Sequence, residues 1–335
     1  MEKSDIEPLR VGVVGLGKMG LLHASILNAM EAVDIVALCE KSSLIRRFAK
    51  KMLRNMKLTA DVAEFSDLDL DAIVITTPIP SHFAITKTIF THNLASNLFI
   101  EKTLASNYAD SVKLCELAGS SKGTNMVGYM KRFSRTFQKA KSLLELGTVG
   151  EISSFEAYAY SSDFADIDKK SKISGSRGGV LKDLGSHIVD IALWYFGKIE
   201  IESSELKSII SSGSEDDVKF HAVCDKGISG SFSVSWCRSN YRMPEFGLKV
   251  NGTKGYVRVN DDEVELRVND EKPVSWYRHD LDDNVGFLVG SPEYFREDEC
   301  FVKSVTVGRS VESDFDSASK VDYLLDQVKM KAGWQ

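Results

Sequence analysis

The feature that most constrains the fold is a glycine-rich turn between an apolar run and a helical pattern near the N-terminus. Residues 9–14 are mostly Val and other apolar residues, and Gly15 to Gly20 read GLGKMG. In such a turn the first glycine permits a tight bend, the second lets the backbone approach a pyrophosphate, and the third lets helix and strand pack closely. Glu40 ends the next apolar run, 20 residues beyond Gly20. This context predicts a dinucleotide-binding strand–turn–helix unit.

The residues around Glu40 bear on the choice of dinucleotide. A carboxylate at this position can accept hydrogen bonds from a ribose diol, and it repels a 2′-phosphate, which favours NAD. The following segment, 41–57, holds seven Lys and Arg residues and no acid. Lys41, Ser42 and Arg46 lie close enough in sequence to reach a 2′-phosphate. We therefore expect NAD or NADP, with the balance towards NAD.

Apolar runs and helical patterns alternate through the first part of the chain, which is typical of a parallel sheet covered on both faces. The runs are 34–39, 72–76, 98–100 and 124–127, and the helical patterns lie near 18–30, 42–56, 82–92 and 107–120. Beyond residue 128, strand runs are joined by Gly- and Asp-containing turns, with helical stretches at 134–146, 185–196 and 293–330. The expected fold is an α/β protein: a Rossmann doubly wound parallel sheet over 1–128, then an α+β domain with a large, mostly antiparallel open sheet over 129–335.

Composition excludes several classes of function. The chain has 335 residues, of which 43% are hydrophobic and 27% charged, and its formal net charge is −6. It contains no apolar run long enough to span a membrane, and its first ten residues lack the apolar core of a signal peptide. The mild acidity argues against non-specific nucleic-acid binding. The five cysteines are scattered without metal-ligand spacing, so we expect reduced thiols, no metal site and a cytoplasmic protein.

Asp183 and His187 form the second candidate site. They are four residues apart at the start of the apolar helical segment 185–196, so on a helix they share one face. A carboxylate beside an imidazole suits proton transfer with a substrate hydroxyl. The alternative is that Asp183 caps the helix and His187 is a buried histidine with satisfied hydrogen bonds. Asp190 falls on the same face and would need a partner if buried.

Further polar segments follow other strand runs, where ligands of open α/β sheets bind. Glu101 and Lys102 follow the run 98–100, and a lysine there can hold a substrate oxygen, although an exposed lysine at a strand end is the simpler reading. The segments TTPIPSH (76–82) and GYMKRF (128–133) are also candidates for lining a cleft. Four other histidines, at positions 23, 92, 221 and 279, have no convergent partners in sequence and are interpreted as structural or surface residues.

Taken in order, GLGKMG, TTPIPSH, EKT, GYMKRF and GGVLKDLGSH resemble the motifs of the glucose-fructose oxidoreductase / inositol dehydrogenase family, also written Gfo/Idh/MocA. The resemblance covers essentially the whole chain, and DxGxH is its most specific part. It implies an NAD(P)-binding domain over 1–128 and a substrate-binding and oligomerisation domain over 129–335. It further implies a sugar, cyclitol or related polyol as substrate, and a homodimer or homotetramer formed through the second sheet.

The resemblance also implies roles for individual residues. His187 would be the general acid/base, Asp183 would orient it and bind a neighbouring hydroxyl, and Lys102 would hold substrate near the nicotinamide. Tyr129 and Arg132 would face the substrate. The implied cofactor-binding residues are Gly15, Gly17, Lys18, Met19, Gly20 and Glu40 for the adenosine-diphosphate half, and Thr76, Pro78, His82, Glu101 and Lys102 for the nicotinamide half.

Three positions depart from the family pattern. Thr103 stands where the family usually has Pro after Glu-Lys, and a proline would restrict the preceding lysine to an extended conformation. Ile79 replaces the usual Asn, which removes a polar group from the expected cofactor site. Arg177 replaces the first glycine of a three-glycine run; it is either a partner for an acidic substrate or a loop cation.

The function expected from these features is reversible hydride transfer between a nicotinamide and a carbinol or ketone carbon. Two alternatives remain open. A dinucleotide-binding regulator or scaffold would keep the glycine turn but would not need Lys102, Asp183 and His187 together. A reductase of a non-sugar substrate would not need an Asp–His pair directed at a hydroxyl.

Overall fold

The structure is a computed structural model that describes residues 7–52, 56–164, 178–211, 213–241, 243–285 and 291–334. Arg177 and most of the polar stretch before it lie outside these residues. The chain divides into two compact units. The first comprises Met1–Gly128 and Tyr294–Asp322, and the second comprises Tyr129–Glu293 and Tyr323–Gln335.

The first unit is built on a six-stranded parallel sheet. Its strands are β1 (Leu9–Val14), β2 (Val33–Cys39), β3 (Lys57–Thr59), β4 (Ala72–Ile75), β5 (Asn97–Glu101) and β6 (Asn125–Gly128). Their order across the sheet is β3-β2-β1-β4-β5-β6, the doubly wound arrangement. The strand order reverses between β1 and β4, and this switch point is where such sheets bind ligands.

Helices and core residues of the first unit follow from the sequence pattern. The helices are α1 (Lys18–Asn28), α2 (Ser43–Met52), α3 (His82–Thr91) and α4 (Tyr108–Gly119). Every residue of β4 is buried, as expected of a parallel strand with both faces covered. Val13, Ile73 and Phe99 from neighbouring strands have no exposed surface. Asn107 caps α4, because its side chain accepts the Asp110 N–H at 3.0 Å.

Residues Tyr294–Asp322 also belong to the first unit, whereas the sequence pattern groups them with the second. The Val127 N–H donates to the Ser313 carbonyl at 2.8 Å, and Phe301 packs on Phe99 with ring centroids 5.8 Å apart. These contacts join residues 186 and 202 positions apart, which no local periodicity reveals. The stretch contains most of α7 (Glu293–Val307) and the start of α8 (Phe315–Lys331).

The second unit is built on an eight-stranded sheet with the order β14-β13-β12-β11-β7-β10-β9-β8. β7 and β10 run parallel, and the other neighbouring pairs run antiparallel. The strands are β7 (Ile152–Tyr160), β8 (Ile199–Lys207), β9 (Asp217–Cys224), β10 (Ile228–Ser235), β11 (Glu245–Gly252), β12 (Gly255–Asn260), β13 (Glu263–Val268) and β14 (Val274–Tyr277). The predicted fold class, a Rossmann sheet followed by a mostly antiparallel sheet, is confirmed.

Two helices of the second unit are α5 (Arg135–Glu145) and α6 (Ser186–Phe196). α6 is buried on every side from Ser186 to Ala192, as its apolar composition predicts. A π-helical turn, Leu181–Gly185, leads directly into it. Among the described residues, no helix is both long and apolar enough to cross a membrane.

Candidate functional site

A cavity of about 710 Å³ opens at the carboxyl ends of β1, β2 and β4 in the first unit. This volume is typical of a site for a small molecule or cofactor. Seven residues predicted to bind the cofactor line it: Gly15, Gly17, Lys18, Met19, Glu40, Thr76 and Pro78. The cavity therefore occupies the switch point at which the glycine turn was expected to act.

Each of the three positions in the turn is a glycine for a different structural reason. Gly15 has a φ of +95°, and a Cβ on Gly20 would lie 1.9 Å from the Gly15 carbonyl oxygen, so packing requires both glycines. A Cβ on Gly17, in contrast, would meet no protein atom within 4 Å. Gly17 lines the cavity, so the absence of a side chain there keeps space open for a ligand.

The start of α1 completes an anion-binding arrangement. The first N–H groups of an α-helix have no intrahelical acceptor, and no side chain caps this helix. These N–H groups and the positive end of the helix dipole favour a phosphate at this position. The residues present therefore fit the pyrophosphate of a dinucleotide.

Glu40 is held rigidly at the edge of the cavity. Its Oε2 accepts the Leu16 N–H and its Oε1 accepts the Ser42 N–H, both at 2.8 Å. Each carboxylate oxygen can accept more than one hydrogen bond, so both remain able to accept from ribose hydroxyls. The Arg46 guanidinium donates through Nη1 to the backbone carbonyls of Glu40 and Lys41. A fixed carboxylate, beside an arginine whose Nη1 is bound to backbone oxygens, favours NAD over NADP.

The loop after β4 joins the glycine turn to the rest of the cavity wall. Thr76 Oγ1 donates to the Gly15 carbonyl at 2.8 Å. His82, expected to contact the cofactor, is instead fully buried behind the loop and does not line the cavity. Its ring nitrogens lie 2.8 Å from the carbonyl oxygens of Thr77 and Thr103. Burial lowers the pKa of His82. Its position makes it a link between two loops.

Glu101 is the last residue of β5 and Lys102 follows it, and both likewise lie outside the walls of this cavity. Glu101 is buried, and its Oε2 accepts the Lys102 N–H at 3.0 Å. Its Oε1 lies 2.9 Å from Nε2 of His23, a residue that sequence inspection classed as structural or surface. The Glu101 carboxylate thus points into the protein, while Lys102 is partly exposed.

In the second unit, Asp183 lies on the π-helical turn and His187 on the first turn of α6. π-helical turns occur frequently at functional sites. His187 is buried, and its ring is 5.0 Å from Phe246 and 6.3 Å from Tyr129, both in edge-to-face geometry. Asp183 is half-buried. Two of the three predicted catalytic residues therefore occupy consecutive turns, with the His187 ring against an aromatic wall formed by Tyr129 and Phe246.

Glu215, which the sequence did not single out, supports the π-helical turn. Its backbone carbonyl accepts the Val180 N–H at 2.9 Å, and its Oε1 accepts the Leu181 N–H at 3.3 Å. A Cβ on Gly179 would lie 2.1 Å from the Glu215 carboxylate. Burial raises the pKa of Glu215. The carboxylate therefore packs directly against the chain that enters the turn bearing Asp183.

Tyr129 and Arg132, expected to face a substrate, are buried in the second unit. The Arg132 guanidinium donates to both oxygens of Asp190, at 2.9 and 2.6 Å. This ion pair supplies the partner that a buried carboxylate on an apolar helix requires. The sequence indicated that Asp190 would need a partner if buried, but it could not identify which cation pairs with it.

Lys131, which the sequence indicated only as part of the segment GYMKRF, is buried beside two acids. Its Nζ lies 2.5 Å from Asp261 Oδ1, 3.4 Å from Glu293 Oε1 and 4.8 Å from the centre of the Phe246 ring. Burial alone lowers the pKa of Lys131, but the two carboxylates outweigh burial and raise the pKa overall. Because Phe246 also contacts His187, this charge network lies directly behind the aromatic wall of that residue.

Two family models match the chain. Residues 9–129 match the oxidoreductase family model with an NAD-binding Rossmann fold, and residues 137–258 match the GFO/IDH/MocA C-terminal domain model. Together the matched ranges cover more than two thirds of the chain.

Individual relatives agree with these matches. The chain is 26% identical over 262 residues to the myo-inositol 2-dehydrogenase of Thermotoga maritima, covering 74% of each chain. It is 23% identical over 317 residues to the inositol 2-dehydrogenase of Rhizobium meliloti, covering 90% of each. Levoglucosan dehydrogenase, solved with NADH and L-sorbose, superposes with a TM-score of 0.86 at 20% identity over 98% of this chain and 97% of that one. At that identity the superposition shows a shared fold.

Proposed function

The chain belongs to the GFO/IDH/MocA family of NAD-binding oxidoreductases, as its motifs indicated. From this premise we propose that it transfers a hydride between NAD and a carbinol or ketone carbon of a sugar, cyclitol or related polyol. The observation that carries the proposal is the cavity at the switch point, in which the position of a Gly17 Cβ is empty and the Glu40 carboxylate is fixed. The dehydrogenases of inositol and levoglucosan support a polyol substrate.

We assign the two units different tasks. The first unit would bind NAD through the glycine turn and Glu40, and bound NAD would supply the hydride acceptor. The second unit would bind the polyol and carry the contacts between subunits through its large sheet, as a homodimer or homotetramer. Light scattering on the purified protein tests the assembly, and a monomer at micromolar concentration would contradict it.

The proton chemistry is assigned to His187. In oxidation the His187 imidazole would take the proton of the reacting hydroxyl, and in reduction it would return that proton. Asp183, on the preceding turn, would accept a hydrogen bond from a neighbouring hydroxyl and keep the imidazole oriented. The aromatic rings of Tyr129 and Phe246 restrict the His187 ring and exclude water from one side of it.

Lys102 is assigned the task of holding a substrate oxygen by its ammonium group. Its backbone is held by Glu101 even though Thr103 replaces the usual proline. Thr103 is buried, and its Oγ1 donates to the Ala105 carbonyl at 2.9 Å. The Thr103 side chain is therefore held in place by a hydrogen bond of its own.

The experiment that tests the proposal is to follow the absorbance of reduced nicotinamide with NAD and NADP in parallel. The substrate panel contains inositols, levoglucosan, free aldoses and nucleotide sugars. We expect turnover with NAD and at least one polyol, and loss of turnover in His187→Asn. His221→Asn, on the exposed side of β9, is the matched control. Tight NAD binding without turnover on any substrate would favour a regulator, and normal turnover of His187→Asn would refute the assigned base.

A further inference from the structure

A buried imidazole lies between two carboxylates in the first unit. His23 on α1 has no exposed surface; its Nδ1 is 2.7 Å from Asp298 Oδ1 and its Nε2 is 2.9 Å from Glu101 Oε1. The rings of Phe99 and Tyr294 flank it at 5.1 and 5.9 Å. Its partners are 78 and 275 positions away in sequence. Three elements, α1, β5 and α7, thus meet at one ring.

The contacts on both sides define the protonation state of the ring. A neutral imidazole donates from one nitrogen only, so its other nitrogen would face a carboxylate oxygen as a second acceptor. An imidazolium donates to both carboxylates. Burial lowers the pKa of His23, but Asp298 and Glu101 outweigh burial and raise the pKa overall. Burial also raises the pKa of Asp298, and the imidazolium opposes that rise. With both carboxyl groups ionised, the charged ring is the form that satisfies both contacts.

The same contacts lead to Lys102. One oxygen of Glu101 bonds to His23, and the other accepts the Lys102 N–H. Both oxygens of the carboxylate are therefore fixed, and its orientation determines the position of the backbone at Lys102. His23 itself belongs to α1, the helix whose first turn lines the cofactor cavity.

We propose that His23 is a positioning residue for the reaction: as an imidazolium bridging Asp298 and Glu101, it fixes the Glu101 carboxylate and thereby the backbone of Lys102. The proposal rests on the substrate-holding role assigned to Lys102. His23 would act through Glu101 and make no contact with substrate or cofactor. Loss of the bridge should therefore lower kcat and leave NAD affinity unchanged.

A bound cation is the competing interpretation of this cluster. One ligand atom each from His23, Glu297 and Asp298 lie within 4.8 Å of one another, all buried. A metal requires the lone pair of a ring nitrogen, whereas both ring nitrogens already face carboxylate oxygens at hydrogen-bond distance. Glu297 is the further acid beside the ring.

The protonation state can be measured directly on the full-length protein labelled with ¹⁵N at histidine. We expect one histidine at neutral pH with both nitrogens protonated, unchanged by a metal chelator and absent from His23→Gln. The exposed His92→Gln is the matched control for assignment. A ring with one unprotonated nitrogen would refute the imidazolium. A chelator-sensitive signal accompanied by stoichiometric metal would establish the cation site instead.

Kinetics test the positioning role in a double-mutant cycle. His23→Gln should lower kcat by up to about 100-fold, as small misplacements of reacting groups do, while NAD affinity changes less than about twofold. If His23 acts through Lys102, His23→Gln should have no further effect in a Lys102→Met background. Additive losses, or weakened NAD binding with unchanged kcat, would refute the role.

The two proposals fail in distinguishable ways. If Lys102→Met alone leaves kcat unchanged, the role assigned to Lys102 is wrong, while the NMR result on His23 stands. If His23→Gln does not fold, Glu101→Gln provides the second variant, because it keeps an acceptor for the Lys102 N–H but removes the charge facing His23. We expect Glu101→Gln to lose kcat and to leave the His23 ring singly protonated. A doubly protonated ring with unchanged kcat in Glu101→Gln would overturn the bridge.

Discussion

Arg132 and Asp190 form a buried two-point ion pair, with hydrogen bonds of 2.9 and 2.6 Å, that fastens the segment after β6 to α6 three residues beyond His187. The Asp190 carboxylate has no exposed surface, and Arg132 is 6% exposed. The pair explains why a carboxylate is tolerated on an otherwise apolar, fully enclosed stretch of helix. It also gives Arg132 a structural task, which the motif did not imply.

Removing one partner of this pair should destabilise the second unit severely. Arg132→Met leaves an uncompensated buried carboxylate, and we expect a loss of about 3–5 kcal/mol in the free energy of unfolding by urea. Arg132→Met/Asp190→Leu should recover most of it, because two apolar residues of similar volume leave no buried charge. Arg258→Met breaks an ion pair whose arginine is largely exposed and should cost less than about 1 kcal/mol. Equal losses for both arginines would contradict this interpretation.

Substitution of Gly17 should affect cofactor binding, whereas substitution of Gly20 should affect the stability of the fold. Gly17 has an extended backbone and open space at its Cβ position, so Gly17→Ala should keep the urea midpoint and weaken NAD binding by roughly tenfold or more. Gly20→Ala would force a Cβ against the Gly15 carbonyl and should lower stability by about 1–3 kcal/mol. Fluorescence titration with NADH and urea unfolding measure the two effects. Unchanged NADH affinity in Gly17→Ala would show that the ligand binds elsewhere.

The free energy of unfolding should decrease at alkaline pH because Lys131 loses its proton. Its pKa is raised in the folded protein, so its contribution is complete below the unfolded value of about 10.4 and is lost as pH rises through the folded value. Lys131→Met should lower stability at neutral pH, because Asp261 and Glu293 then lack their cation, and should flatten the decline above about pH 10.4. Lys219→Met, at an exposed position on β9, is the control. A mutant with the same alkaline slope as the parent protein would assign the decline to another group.

Alanine substitutions at Gly178 and Gly179 form a matched pair that tests how Glu215 supports the turn bearing Asp183. Both have positive φ, but a Cβ on Gly178 lies no closer than 3.5 Å to its neighbours, whereas one on Gly179 meets the Glu215 carboxylate. Gly178→Ala should cost only backbone strain, about 1–3 kcal/mol. Gly179→Ala should cost more and should also lower kcat, because Glu215 must move away from the Leu181 N–H. In a Glu215→Ala background the excess cost should disappear; its persistence would show that the carboxylate is not the obstacle.

Local patterns determine much of the first unit. The glycine turn can be recognised in the sequence because Gly15 and Gly20 meet local demands, of backbone angle and of close packing, within a few residues, and Gly17 between them leaves space for a ligand. β1 and β4 can be predicted from their apolar runs because strands of a parallel sheet are covered on both faces. The three-residue strand β3 lacks such a run, and it is a strand because it pairs with β2.

The sequence by itself determined the fold class, the nucleotide-binding turn and the identity of Glu40, Asp183 and His187 as candidates, because short-range periodicity and spacing encode them. Only the tertiary structure decided which charges are paired. Arg132 pairs with Asp190, and His23 contacts Asp298 and Glu101. Residues 294–322 likewise pack with the first sheet. The reason is physical: a buried charge must find its counter-charge in space, and chain separation does not limit which one it finds.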